Sequence, residues 1–179
     1  MSDNSEKISL IKKRGDAAQQ AKIDFRSLFK NEGLGKKDPN YNLRLKNYKE
    51  FTKTAFPENW PSLLNQIDSR NKIAIEEALA FLEADPNFNN SGYIKQKLVG
   101  HLKRAQLNGS QKNRLALLVL ERINNAHAHE FSTYGKLAIA LLMPELDRQI
   151  EELSRSKDIA VAKRANWMLK ILKSRSLLS

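Results

Sequence analysis

The chain has 179 residues, no cysteine, and a formal charge of +11 from 31 Lys and Arg against 20 Asp and Glu. That length suffices for one domain with a real hydrophobic core, and the missing cysteines exclude disulfides and thiolate metal sites and suit a reducing, intracellular setting. The positive balance favours a polyanionic partner, either nucleic acid or an acidic surface. No apolar signal core follows residues 1–7, and the longest apolar run, 115–120, is far too short to span a bilayer, so a cytoplasmic protein without a membrane partner is expected.

The pattern reads as helix after helix. A first helix over 6–31 carries Ala18, Ala21, Phe25 and Leu28 at three- and four-residue spacing. Gly15 is expected to weaken its middle, so that the turns around Lys12, Lys13 and Arg14 either fray or form a flexible arm. Gly33, Gly35 and Pro39 mark a loop over 32–40. A helix over 41–55 puts Tyr41, Leu45 and Tyr48 on one stripe and Lys46, Lys49 and Lys53 on another. Pro57 and Pro61 bracket a turn holding Trp60, and a short helix begins near Ser62. Helices follow over 70–84, 91–107, 110–126, 132–142, 144–154 and 158–173. Ser91, Ser110 and Asp158 are placed as N-caps and Pro144 at a first helical position. The short connections make sequential helices antiparallel neighbours.

In the last hairpin, Leu146, Ile150 and Leu153 form one stripe, residues 156–158 turn the chain, and Val161, Ala165, Leu169 and Leu172 form the returning stripe. With Asp158, then Val161, then Lys163 or Arg164, and then Ala165, this segment resembles a HEAT-type repeat. The resemblance implies an all-α, right-handed stack of antiparallel hairpins over 61–179, with an N-terminal helical cap and loop over 1–60, all in a single domain of 1–179.

In such a stack 91–107, 132–142 and 158–173 are second helices lining one surface. They carry Lys95, Lys97, Lys103, Arg104, Lys136, Lys163, Arg164, Lys170 and Lys173, and the chain has no acid between Asp85 and Glu121 or after Asp158. The first helices carry Glu76, Glu77, Glu83, Glu121, Glu145, Asp147, Glu151 and Glu152. A continuous positive inner surface is therefore expected, unless an extra helix upstream swaps the two layers.

Lys97, His101 and Arg104 share one helix face by spacing, and Lys163, Trp167 and Lys170 share another. A tryptophan between lysines can stack on a base while the ammonium groups meet phosphates. The same ring, with Ile171, can instead pack on a neighbouring helix, as large aromatics mostly do. The expected nucleic-acid contacts are Lys95, Lys97, Lys103, Arg104, Lys163, Arg164, Trp167 and Lys170. A second candidate is the run Tyr41, Arg44, Lys46, Tyr48, Lys49, Phe51, Lys53, Phe56 and Trp60, whose interleaved rings and charges suit single strands. An ordinary amphipathic helix, rings in the core and lysines in water, accounts for it more simply.

Other chemistry has little support. His127, His129 and Glu130, even with His101, lack the convergence a metal demands. Gly33, Gly35, Lys36 and Lys37 lack the spacing of a phosphate loop, and no nucleophile elbow exists. No catalytic residue, cofactor or metal is expected. The function expected is a non-enzymatic nucleic-acid-binding scaffold, for DNA or RNA, alone or as a subunit of a larger assembly. The alternative is an adaptor holding an acidic protein. A DNA-acting enzyme would need a carboxylate in the basic groove, with Asp147 or Glu130 the candidates.

Overall fold

A computed structural model describes residues 2–27, 39–57, 59–125 and 131–175. These are almost wholly helical, and no strand occurs among the described residues. The elements are α1 (Ser2–Ser27), α2 (Pro39–Ala55), α3 (Trp60–Asp68), α4 (Lys72–Ala84), α5 (Ser91–Leu102), α6 (Gly109–Asn124), α7 (Phe131–Leu141), α8 (Pro144–Ser154) and α9 (Ile159–Arg175). None of the helices searched among the described residues is long and apolar enough to cross a membrane. The chain groups into two compact units, one of Met1–Gln66 with Asn71–Ile94 and the other of Ile67–Arg70 with Lys95–Ser179. α4 packs on α1 and so belongs with the N-terminal helices.

In the first unit α1 lies along α2 and α4. Its contact face is built of small residues, Gly15, Ala18 and Ala21, all buried. Gly15 does not fray the helix, which runs unbroken from Ser2 to Ser27 with Lys12, Lys13 and Arg14 exposed along it. A Cβ at residue 15 would lie 2.7 Å from Pro86 Cβ and 3.3 Å from Pro86 Cα, so the glycine is there for close approach. Leu28 and the predicted loop up to residue 38 lie outside the described residues. At the far end of α1, Phe25 stacks on Tyr48 (5.9 Å between centroids, 6° between planes) and tilts on Tyr41.

α4 is buried round most of its circumference, by Ala74, Ile75, Ala78, Leu79, Ala80, Phe81, Leu82 and Ala84, as a central core helix must be. It begins where the Asn71 side chain accepts from the amides of Ile73 and Ala74. It stops at Asp85, a left-handed residue followed at once by Pro86, which cannot continue a helix. Phe88 then inserts edge-on between Phe56 and Phe81.

In the second unit α6 packs on α7, α8 and α9, and α9 packs on α7 and α8. The shared core takes Leu115, Val119 and Ile123 from α6, Leu137 and Ala138 from α7, Leu146 and Ile150 from α8, and Ala165 and Met168 from α9. Arg122 is buried there too, its guanidinium 5.3 Å from the centroid of the Tyr134 ring. The α6 cap is Asn108 and not Ser110. Asn108 and Gln111 exchange side-chain bonds to one another's amides, which makes a reciprocal capping box. Asn108→Ala is therefore expected to cost about 1 kcal/mol, read as a lowered urea midpoint, whereas Ser110→Ala leaves the midpoint unchanged. α9 starts as expected, with Asp158 Oδ1 accepting from the amides of Ala160 and Val161 at 2.8 and 3.1 Å.

Candidate nucleic-acid interface

α9 presents three kinds of surface. Val161, Ala165 and Met168 enter the core; Leu169, Leu172 and Lys173 line a groove with Pro144, Asp147, Arg148 and Glu151 of α8; and Ile159, Lys163, Trp167 and Lys170 are exposed at helical spacing on one outward stripe. Trp167 keeps 39 % of its surface exposed. Its ring meets Phe131 of α7 at 5.0 Å between centroids, tilted by 41°. It also passes over Gly135, where an added Cβ would lie 3.0 Å from Trp167 Cζ3 and 3.0 Å from Ile171 Cδ1. The indole therefore packs on a neighbouring helix and still shows ring surface to solvent.

The result is a shallow depression of about 330 Å³, lined by Phe131, Ser132, Lys163, Arg164 and Trp167. Its floor is aromatic and its rim cationic, and none of these lining residues carries a carboxylate. Asp147 instead faces the α8–α9 groove, while Glu130, with His127 and His129, lies outside the described residues. Among the described residues no cluster of three His, Asp or Glu side chains forms a metal site. Phe131 and Gly135 went unrecognised from sequence alone. The available signal was a small residue one turn after an aromatic on α7, which leaves room for a large ring on its neighbour.

Arg164 has a structural task at this site. Its Nε and Nη2 donate to the carbonyls of Ile123 and Asn124, two of the last acceptors of α6. Arg164→Ala is expected to lower stability by about 1–2 kcal/mol, visible in a denaturant titration, while Lys163→Ala leaves it unchanged.

The predicted basic face of α5 is smaller than its sequence suggests. Lys95 is only 4 % exposed, because residue 95 shares its stripe with buried Leu98, Val99 and Leu102, and it has an interaction partner within the chain. The helix stops at Leu102, so Lys103 and Arg104 lie in the following turn and not on the helix face. His101 Nδ1 sits 2.8 Å from Asp68 Oδ1, and Arg104 Nη2 is 3.9 Å from the same oxygen. Asp68, from the end of α3, thus places an acid in a patch read as acid-free. Lys97 and Lys103 remain exposed. The helices substantially packed on α9 are α6, α7 and α8, so no packing contact of that kind joins this patch to α9.

The glutamates of α8 are held in helix ion pairs. Arg148 bridges Glu145 at 2.7 Å and Glu152 at 2.6 Å, and Arg155 meets Glu151 at 2.6 Å. The hydrogen bond from Arg148, helped by its charge, holds the Glu145 carboxyl below the ordinary carboxylate range. A lowered folded pKa contributes stability that is present above the unfolded value and lost as pH falls through the folded one, and at this fully exposed site the contribution is small.

The second sequence candidate divides. Tyr41 is buried, Arg44 is tied to the Asp24 carbonyl, Lys46 pairs with Glu50, and Phe51 is exposed. Tyr48, Phe56 and Trp60 are half-buried, and Lys49 and Lys53 are exposed. No protein-family model, curated protein or solved structure matches the chain.

Proposed function

We propose that this chain is a non-enzymatic nucleic-acid-binding scaffold whose contact surface is the outward stripe of α9 together with the start of α7. The observation that carries the reading is Trp167, exposed between Lys163 and Lys170 above a depression lined without a carboxylate. An aromatic face with flanking ammonium groups matches a stacked base and its neighbouring phosphates, which favours single strands over duplex. Lys97 and Lys103 are exposed cations outside this stripe, whereas Lys95 is buried and Arg164 bonds the end of α6. The pairing of α6 with α7 and of α8 with α9, with α7 against α9 and α6 against α8, supports a HEAT-like stack in this unit.

Binding of this kind runs on counterion release and carries little sequence preference. Fluorescence anisotropy with a labelled single-stranded oligonucleotide is expected to show affinity falling by roughly tenfold or more between about 50 and 200 mM salt. Absence of binding at the lower salt contradicts the proposal. The adaptor reading is favoured by one feature, Ile159, which stands 71 % exposed one turn before Lys163 and offers an apolar contact to a protein. Ile159→Ser should then weaken a protein complex and leave oligonucleotide binding unaltered.

A further inference from the structure

A second cleft, confined to the first unit, has no part in the surface described above. Tyr48, Phe56 and Trp60 line it together with Lys49, Thr52 and Lys53, and it encloses about 660 Å³. Cavities of a few hundred to about a thousand Å³ are the size that takes small molecules. We propose that this cleft binds a nucleobase bearing a phosphate, its base against the aromatic rings and its phosphate at Lys49 and Lys53.

Three observations carry the assignment. The first is an unmet polar group. Thr52 Oγ1 is fully buried and has no hydrogen-bond partner, whereas Thr54, on the same helix, bonds the Phe51 carbonyl at 3.0 Å. A buried hydroxyl without a partner is a cost to the fold, one that turning the Thr52 side chain toward a ligand in the cleft would remove. The second is charge. Lys49 and Lys53 stand one helical turn apart on the same face of α2, both exposed, and the one acid of that helix, Glu50, is engaged with Lys46. Two ammonium groups at that spacing suit a dianionic group better than a carboxylate. The third is rigidity. Tyr48 is backed by the stacked ring of Phe25, and Trp60 meets Tyr93 edge to face at 6.3 Å. Rings held from behind need little ordering when a ligand arrives.

The same chemistry comes from a free nucleotide or from one residue of a strand, and the experiment separates them. In the Trp167→Phe protein Trp60 is the one remaining tryptophan, since the chain has two. Its emission is titrated with adenosine monophosphate, adenosine, inorganic phosphate and a short oligoadenylate. Saturable quenching by the monophosphate is expected with a Kd of about 1 mM or below, with adenosine and phosphate each weaker by about tenfold. Lys49→Glu with Lys53→Glu should weaken it by about tenfold or more, and Thr52→Val should weaken it while circular dichroism remains unchanged. Oligoadenylate no tighter than the monophosphate assigns the cleft to a free nucleotide; much tighter binding assigns it to a strand. No saturable change with either ligand overturns the proposal, and so does quenching that survives the double reversal. The cleft does not depend on the α9 surface: adding Lys163→Glu and Lys170→Glu leaves this quenching intact, so the two proposals fail separately.

Discussion

Reversing Lys163 and Lys170 together to Glu is expected to lower affinity for a single-stranded oligonucleotide by roughly tenfold to a hundredfold at low salt, and to flatten its salt dependence by one to two counterions. Both residues are exposed on α9, and among the described residues neither makes a hydrogen bond or ion pair that would hold the fold together. Their loss therefore acts on binding and not on stability. Trp167→Ala removes a different quantity. Base stacking on an aromatic side chain is worth about 1–3 kcal/mol, so this substitution lowers affinity at every salt concentration and leaves the salt slope where it was. The separation of the two signatures, slope for the lysines and intercept for the tryptophan, distinguishes a stacked single strand from diffuse attraction to a basic protein. Lys72→Glu, an exposed reversal on α4, serves as the control and should change little. A loss from Lys72→Glu as large, per charge reversed, as that from the double reversal would mean that only net charge matters.

Gly15→Ala is expected to destabilise the protein by about 1–2 kcal/mol, although alanine is the better helix former by about 1 kcal/mol. The added methyl meets the Pro86 ring at 2.7 Å, and neither a proline ring nor the backbone behind it can swing aside as a long side chain would. Gly15→Leu should cost about 3 kcal/mol or more, because the extra carbons must enter the same closed seam between α1 and the segment after α4. Gly100 offers the internal comparison. It also sits within a helix, α5, but a Cβ there meets nothing within 4 Å. Gly100→Ala should accordingly stabilise by up to about 1 kcal/mol, so two glycine-to-alanine changes in one chain shift the urea midpoint in opposite directions.

These two glycines mark where sequence reading reaches its limit. A glycine in a helical pattern says only that local propensity is poor. Whether it is a weak point or a contact depends on what passes opposite, here Pro86, some seventy residues away in the chain. Asp68 is a similar case: it pairs with His101 from 33 positions earlier, a distance no local pattern reveals. By contrast, the helices themselves were legible, because apolar spacing, Asp158 and Pro144 act within a turn or two of their own position. The burial of Lys95 was missed, although the signal for it is local. Leu98, Val99 and Leu102 follow it at three, four and seven residues, and that stripe outweighs the charge of a single lysine. The exposed stripe Lys163, Trp167, Lys170 was readable from α9 alone, whereas its floor was not, because Phe131 and Gly135 come from α7 and meet the indole only through packing. Capping shows the narrowest ambiguity: Asn108 and Ser110 are both good cap residues two positions apart, and Gln111 decides for Asn108 by closing the reciprocal bond.

The most direct test of the α9 surface uses Trp167 itself as the reporter. Trp60→Phe leaves Trp167 as the only tryptophan, and its emission is followed as an unlabelled single-stranded oligonucleotide is added at about 50 mM salt and again at about 200 mM. The account predicts saturable quenching whose midpoint moves by roughly tenfold or more to higher oligonucleotide at the higher salt, and whose amplitude persists at saturation. Trp167 emission that stays constant while anisotropy reports a bound oligonucleotide would contradict it, because the nucleic acid would then be held somewhere other than on this ring.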